Sequence, residues 1–336
     1  MDAELDEPGF GELVVKMAAA GLCHSDLSVI NGDRPRDTPI ALGHEASGVV
    51  ERIGPGVTRF APGDHVVMVF VPSCGHCVPC SSGRPALCEP GAAASGKGTL
   101  LNGGRRITCD SVTVNHHLGV SAFSTRAVVS ENSCIRIDKK VPLDKAALLG
   151  CAVLTGVGEL KPGQSCAIVG LGGVGLAALL GAIAGGAGQI IAVDLSPAKR
   201  AFALELGATH AVDPSEEDAV ARVKALTGGG VDLAAEFAGA VPALKFAYDI
   251  TRRGGTTVTA GLPNPKAELK IPAVSLTVGE QTLKGSYVGS CVPVRDIPRF
   301  AAMMMDGRLP IEKLMTHRLT LDEINEGFER LAEGTA

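Results

Sequence analysis

The sequence predicts an α/β protein of two domains, one β-rich and one built on a doubly wound parallel sheet. Three features carry that expectation. The chain has 336 residues, too many for one hydrophobic core. Its first part alternates short apolar runs with Gly and Pro. From about residue 163 apolar strand-like runs alternate regularly with helical stretches, the pattern of a parallel sheet covered on both faces.

In the first part, Leu13-Val14-Val15-Lys16-Met17, Gly48-Val49-Val50-Glu51-Arg52-Ile53-Gly54 and Pro62-Gly63-Asp64-His65-Val66-Val67-Met68-Val69 show no long helical period. They read as short strands joined by tight turns. Residues 72 to about 124 read as a long loop dense in Cys, Gly, Ser and Asn, and a loop of that length needs a staple or a function.

In the second part, strands are expected at 165–169, 190–194, 211–212 and 233–236, with the last strands in 256–261 and 282–287. Helices are expected at 174–187, 199–206 and 218–226, and amphipathic helices at 297–305 and 321–331. No internal repeat or low-complexity tract is present.

Composition excludes several classes of partner. A formal charge of -5 offers nothing to nucleic acid or an anionic membrane, and 3% aromatic residues with no Trp leave few platforms for stacking bases. The acidic start, Met1 to Glu7, lacks a signal-peptide pattern, and Gly interrupts the longest apolar stretches before they reach a membrane span. The expectation is a cytoplasmic protein acting on a small molecule, with neither nucleic acid nor membrane as partner.

Gly170-Leu171-Gly172-Gly173-Val174-Gly175 is a G-x-G-x-x-G run that follows a strand and opens a helix, with Asp194 ending the next strand 24 residues on. In that context it reads as a dinucleotide site. Gly170 makes the turn, Gly172 admits backbone N–H groups to the pyrophosphate, and Gly175 lets helix and strand pack closely. The helix N-terminus adds partial positive charge. Asp194 would accept from the adenosine ribose hydroxyls and repel a 2′-phosphate, so NAD is preferred over NADP. Lys199 and Arg200 lie close enough to temper that preference.

Four of the ten cysteines, Cys74, Cys77, Cys80 and Cys88, fall within fifteen residues. A zinc ion held by four thiolates accounts for that density and has no open position, so the site is structural. An iron–sulfur cluster is the rival, distinguishable by colour. Elsewhere, Gly21-Leu22-Cys23-His24-Ser25-Asp26, Gly43-His44-Glu45 and Gly150-Cys151-Ala152 each set a metal-ligand type beside a Gly. Taken singly, each residue is more often packing or hydrogen bonding than ligand.

Together with the dinucleotide segment, these runs resemble the zinc-dependent alcohol dehydrogenases of the medium-chain dehydrogenase/reductase family over nearly the whole chain. The stretch from Gly43 to Val66 looks like that family's signature, and the spacing of Cys74, Cys77, Cys80 and Cys88 matches its structural zinc lobe. The resemblance implies a GroES-like catalytic domain over 1–152 and 288–336, with the lobe at about 72–90, and a Rossmann NAD-binding domain over 153–287. It implies two zinc ions per subunit, a catalytic one on Cys23, His44 and Cys151 with its fourth place open, and hydride transfer between a primary or aromatic alcohol and NAD. Glu45 and Asp26 would orient His44. Ser25 would take the alcohol proton, Phe70 line the pocket, and Leu283 and Lys284 lie near the nicotinamide end. His24, Thr155, Gly173, Val174 and Gly261 join the cofactor contacts. The family also implies a homodimer or homotetramer.

Three departures from the family pattern stand out. Ser28 replaces a proton-relaying His, the stretch 155–163 is short, and the family's first and last strands are expected to be missing. His65 and His76 read as packing and solvent-facing, and His116 and His117 as border residues of the substrate cleft. Arg105, Arg106 and Arg126 could form a cationic pocket for a thiol adduct, which keeps a thiol-dependent formaldehyde dehydrogenase as an alternative. Polyol oxidation fits less well with a four-Cys lobe, and a non-catalytic zinc- and NAD-binding redox sensor is the alternative of another class.

Overall fold

The alternating apolar residues of Glu12–Gly21 bury Leu13 and Val15 on one side of a strand that pairs antiparallel with both Arg126–Ser130 and Glu45–Ile53. The sheet continues through His65–Met68 to Cys134–Ile137. Gly48 is needed inside this sheet because a Cβ there would lie 2.4 Å from the carbonyl oxygen of Lys16. Val50, Val66, Met68, Val120 and Val129 fill the core beneath it. The computed structural model describes residues 2–156 and 162–334.

The stretch expected as loop, 72–124, is more structured than its composition indicates. It holds helices Val78–Ser81 and Glu89–Gly96, then a hairpin of Ile107–Cys109 with Val112–His116. The hairpin joins Glu4–Leu5 and Ile40–Ala41 in a second, four-stranded sheet. Ala-rich and Gly-rich segments carry little periodic signal, and two-residue partner strands carry none, which hides this sheet from pattern reading. Helix His24–Ile30 was likewise masked by the strand-like surroundings.

The second unit is a six-stranded parallel sheet in the order His210–Val212, Gln189–Val193, Ser165–Val169, Val231–Glu236, Thr251–Thr259, Thr282–Gly285. That is the doubly wound order whose ligand crevice lies at the C-terminal ends of the strands where the order reverses. Helices Gly173–Ala184, Pro197–Leu206 and Ala219–Thr227 fall where the periodicity places them. Val241–Ile250 and Ala273–Gly279 are helices that the pattern did not reveal. Ala167, Val169, Ile191, Val193, Phe246 and Ile250 form its core.

By compactness one unit gathers the chain to Leu154 with Cys291–Gly307 and the residues from Ile311 on. The other holds Thr155–Ser290 and Arg308–Pro310, so its edges lie a few residues from 153 and 287. The short stretch 155–163 falls largely outside the described residues.

Candidate functional site

Three turns of the first unit converge. The ligand atoms of Cys23, His44 and Cys151 lie within 4.8 Å of one another, although the residues are far apart in sequence. Antiparallel pairing of Gly21 with Glu45 brings the end of one strand beside the start of the next, so Cys23 and His44 meet. Cys23 caps helix His24–Ile30 in an extended conformation. Gly43 has φ +95, and a Cβ on it would lie 2.6 Å from the Phe123 backbone nitrogen, so His44 leaves a turn only Gly can make. A Cβ on Gly150 would lie 2.2 Å from the Met68 carbonyl oxygen, and this close approach carries Cys151 inward. Its Sγ stands 3.5 Å from His44 Nε2.

Asp26 lies behind this trio and is wholly buried. Its Oδ2 is 3.0 Å from His44 Nδ1, and its Oδ1 is 3.0 Å from His117 Nδ1 while accepting the Gly43 N–H at 3.0 Å. Both imidazole nitrogens lie 3.0 Å from the carboxylate but off hydrogen-bond geometry, so each faces it as a close electrostatic neighbour, and neither makes a well-formed hydrogen bond. Burial pushes the Asp26 carboxyl up, and the contacts with His117 and His44 outweigh it, holding the group below the usual carboxylate range. The Cys23 thiol falls well below its ordinary range because Cys151 and His44 interact favourably with its thiolate, against the effect of burial. The Cys151 thiol rises, first through Cys23 and then through burial.

Glu45 does not reach His44 in the way the family resemblance implies. Its Oε1 accepts the Ala152 N–H at 2.8 Å, next to Cys151, and burial followed by the charge of Cys23 pushes its pKa to about 8. Orientation of His44 falls to Asp26 alone of the two carboxylates. Two sulfurs and an imidazole nitrogen gathered at these distances form a donor set that fits zinc.

The second cluster is local. Cys74, Cys77, Cys80 and Cys88 bring their sulfurs within 4.8 Å of one another. Backbone N–H groups point at the sulfurs, from Cys77 to Cys74 Sγ at 3.3 Å, and from Cys74 and Gly91 to Cys88 Sγ at 3.2 and 3.3 Å. Amides aimed at two of the sulfurs favour their thiolates, and four sulfurs gathered this closely fit a tetrahedral zinc with no open position. His76 is exposed, and its Nδ1 lies 2.9 Å from the Cys74 carbonyl oxygen.

In the second unit the glycines of the G-x-G-x-x-G run differ in what they do. Gly170 has φ +92, and a Cβ on Gly175 would lie 1.8 Å from the Gly170 carbonyl oxygen, so these two make the turn and the helix contact. A Cβ on Gly172 or Gly173 would meet nothing within 4 Å. The space over the N-terminus of helix Gly173–Ala184 is thus kept open, a cradle that fits a pyrophosphate. Val174 lies in the first turn of that helix. Asp194 Oδ2 accepts the Leu171 N–H at 2.8 Å and Oδ1 accepts that of Ser196 at 2.9 Å, so this carboxylate also braces the loop. Arg200 turns its guanidinium to the carbonyls of Asp194 and Leu195 and to Asp213. Lys199 sits in the first helical turn after Ser196. Gly261 packs against Glu236, whose carbonyl accepts its N–H at 3.2 Å.

Comparison with known proteins agrees with this anatomy. The profile described as alcohol dehydrogenase GroES-like domain matches residues 9–139, and that described as zinc-binding dehydrogenase matches 173–306. An NDMA-dependent alcohol dehydrogenase of Amycolatopsis methanolica is 40% identical, aligned over 99% of this chain and 92% of its own. A benzyl alcohol dehydrogenase structure from Acinetobacter calcoaceticus superposes with a TM-score of 0.93 at 34% identity, covering 99% of this chain and 92% of that one. An alcohol dehydrogenase zinc-binding domain protein from Burkholderia ambifaria gives 0.94 at 35% identity, over 99% and 91%. The chain is a zinc-dependent alcohol dehydrogenase of the medium-chain dehydrogenase/reductase family. Zinc and a nucleotide cofactor follow from that membership and from the donor sets described above.

Other residues of this dehydrogenase fall as follows. Ser25 lies in the first turn of helix His24–Ile30, His24 is exposed at its start, and Ser28 Oγ donates to the His24 carbonyl at 2.8 Å. The Phe70 ring meets His44 edge-on, with centroids 5.2 Å apart. Thr155 is half-buried in helix Ala152–Gly156, and Leu283 and Lys284 lie in the edge strand Thr282–Gly285. His65 opens the His65–Met68 strand.

The border role expected for the two adjacent histidines does not describe them. His116 is buried, accepts the Arg106 N–H through Nε2 at 3.2 Å, and is held near pKa 4 by burial. His117 turns to Asp26 instead. Nothing in sequence spacing links 117 to 26. Their meeting depends on the parallel pairing of Ala41 with His116, which a two-residue strand does not announce.

The cationic pocket also dissolves. Arg106 pairs with buried Glu12, Arg126 makes a two-pronged pair with Glu51, and Arg105 bonds the Asn115 side chain and the Lys97 carbonyl. With all three committed, the thiol-adduct reading loses the groups that motivated it. Among the described residues no helix is long and apolar enough to cross a membrane.

Proposed function

We propose that this dehydrogenase oxidises primary and aromatic alcohols to aldehydes, passing the hydride to NAD, with Cys23, His44 and Cys151 as the ligands of a catalytic zinc. The observation that carries the reading is the convergence of those three side chains within 4.8 Å, backed by a buried carboxylate on the far side of the imidazole. Zinc bound there would supply Lewis acidity, making the alcohol hydroxyl more acidic, and leave one position for substrate. The chain's own part is to hold two sulfurs and one nitrogen in place, fix the tautomer of His44 through Asp26, and offer Ser25 as the first acceptor of the alcohol proton. Phe70 adds an apolar wall beside His44, which suits an aromatic substrate. A relative named for benzyl alcohol points the same way. The Cys74, Cys77, Cys80 and Cys88 cluster would hold a second, structural zinc.

For the nucleotide, Gly170, Gly172, Gly173, Val174 and Gly175 would cradle the pyrophosphate, Asp194 would receive the ribose hydroxyls, and Thr155 and Gly261 would border the nicotinamide half. The commitment of Arg200 to Asp213 and two carbonyls favours NAD, because it removes a cation that a 2′-phosphate would need. We infer a homodimer or homotetramer in the cytoplasm.

One observation favours a second reading of the redox cycle. A relative at 40% identity is NDMA-dependent, so NDMA would be needed to complete turnover here as well. The decisive experiment follows both NAD reduction and aldehyde formation across primary, aromatic and secondary alcohols, alone, with NDMA and with glutathione, alongside metal analysis. NAD reduction by primary and aromatic alcohols without additives, at two zinc per chain, supports the first reading. Turnover only with NDMA selects the second. Turnover only with glutathione, or no turnover at two zinc per chain, overturns both.

A further inference from the structure

Asp26, His44 and His117 form a buried set reaching one step beyond the residues assigned above. All three side chains are withdrawn from water. A buried carboxylate is costly unless polar partners surround it, and Asp26 accepts the Gly43 N–H on Oδ1 and has two imidazole nitrogens at 3.0 Å, His117 Nδ1 beside Oδ1 and His44 Nδ1 beside Oδ2. For His44 to present its proton to Oδ2, its Nδ1 must be the donor. That leaves Nε2, the nitrogen 3.5 Å from Cys151 Sγ, with a free lone pair for a metal.

Whether His44 keeps that tautomer and direction depends on what stops the Asp26 carboxylate from turning. Gly43 fixes one side of Oδ1 through backbone. His117 fixes the other, and it is itself anchored, its N–H lying 3.1 Å from the Ala41 carbonyl and 3.2 Å from Ser121 Oγ. The two imidazoles meet edge-on, centroids 5.6 Å apart and planes at 84°. One carboxylate thus faces two rings through different oxygens.

We propose that His117 is a positioning residue for the metal-binding imidazole of His44, acting through Asp26. It touches neither substrate nor the proposed metal. It holds the carboxylate that holds the ligand, an outer layer of the kind that tunes metal affinity by 10–100-fold in zinc sites. Asn at 117 can place an amide N–H close to where Nδ1 stands, whereas Ala cannot.

The inference rests on reading Cys23, His44 and Cys151 as ligands, and the test separates the two. Zinc release to a chromogenic chelator is timed for the wild-type holoenzyme, His117→Ala and His117→Asn, and each is reloaded with cobalt(II) for its visible spectrum. In the wild type, two zinc per chain should leave in two phases. His117→Ala should speed the phase belonging to the three-ligand site by about 10-fold. It should also shift the cobalt bands, leaving the four-Cys phase unchanged. His117→Asn should return both to near wild type. If His117→Ala does not fold, His117→Gln replaces it, with the same direction of change expected. Unchanged release and spectrum in the Ala or Gln variant, or Asn behaving no better than Ala, overturns the role of His117. One zinc per chain in the wild type overturns the ligand reading itself.

Discussion

Cys151 Sγ and His44 Nε2 stand 3.5 Å apart, across more than a hundred residues of chain, with Cys23 completing the set. Removing any one member should cost the site its metal. Cys23→Ala and His44→Ala are each expected to drop zinc from two to one per chain and kcat/KM by about 1,000-fold or more. The fold should survive, as read by thermal unfolding and circular dichroism. Normal turnover in Cys23→Ala would end the assignment.

The four-Cys lobe should respond differently. Its sulfurs gather within one short segment whose larger apolar side chains, Val78 and Leu87, are exposed, so a metal there contributes directly to local folding. Cys77→Ser is expected to open residues 72–96 to limited proteolysis and lower the unfolding temperature. Equal resistance in variant and wild type would show that the segment holds itself.

Gly172 and Gly175 make a paired test within one loop. Gly175→Ala forces a methyl to 1.8 Å from the Gly170 carbonyl oxygen, and about 2 kcal/mol or more of stability should be lost. Gly172→Ala meets nothing in the protein, so its unfolding temperature should hold while NADH affinity, followed by fluorescence titration, falls about 10-fold or more. Unchanged affinity in Gly172→Ala would mean that the open space is not where the pyrophosphate lies.

Asp194 carries two duties, bracing Leu171 and Ser196 while facing the expected ribose. Asp194→Gly should therefore weaken both NAD and NADP, and NAD more, so that the ratio of their kcat/KM values moves toward NADP. A ratio that stays put would remove the ribose role and leave the brace.

His116 gives a pH signature. Its folded pKa is about 4, pushed down by burial, against about 6.5 in the unfolded chain. Between those values the unfolded state binds more protons, so stability falls as pH drops from about 6.5 toward 4. The full difference is ~3 kcal/mol at about 1.4 kcal/mol per unit. Denaturant melts of His116→Asn should lose less stability across that window than wild type. Parallel pH curves would assign the acid sensitivity to other groups.

Much of this anatomy is readable from residue order alone, because it is local. A Gly-rich turn between strand and helix, four cysteines within fifteen residues, and period-2 or helical patterning all concern neighbours along the chain, whose geometry backbone sterics and hydrophobic periodicity impose. The trio at 23, 44 and 151 is of another kind. Each of its members looks like an ordinary turn residue, and only resemblance to a family groups them. What folding alone settled are the partners at long range: Asp26 between two imidazoles, Glu45 on the Ala152 amide and not on His44, and three arginines spent on Glu12, Glu51 and Asn115. Those contacts follow from strand pairing across sheets, where a register shift of one residue would turn each side chain to the opposite face, and no local pattern encodes that register.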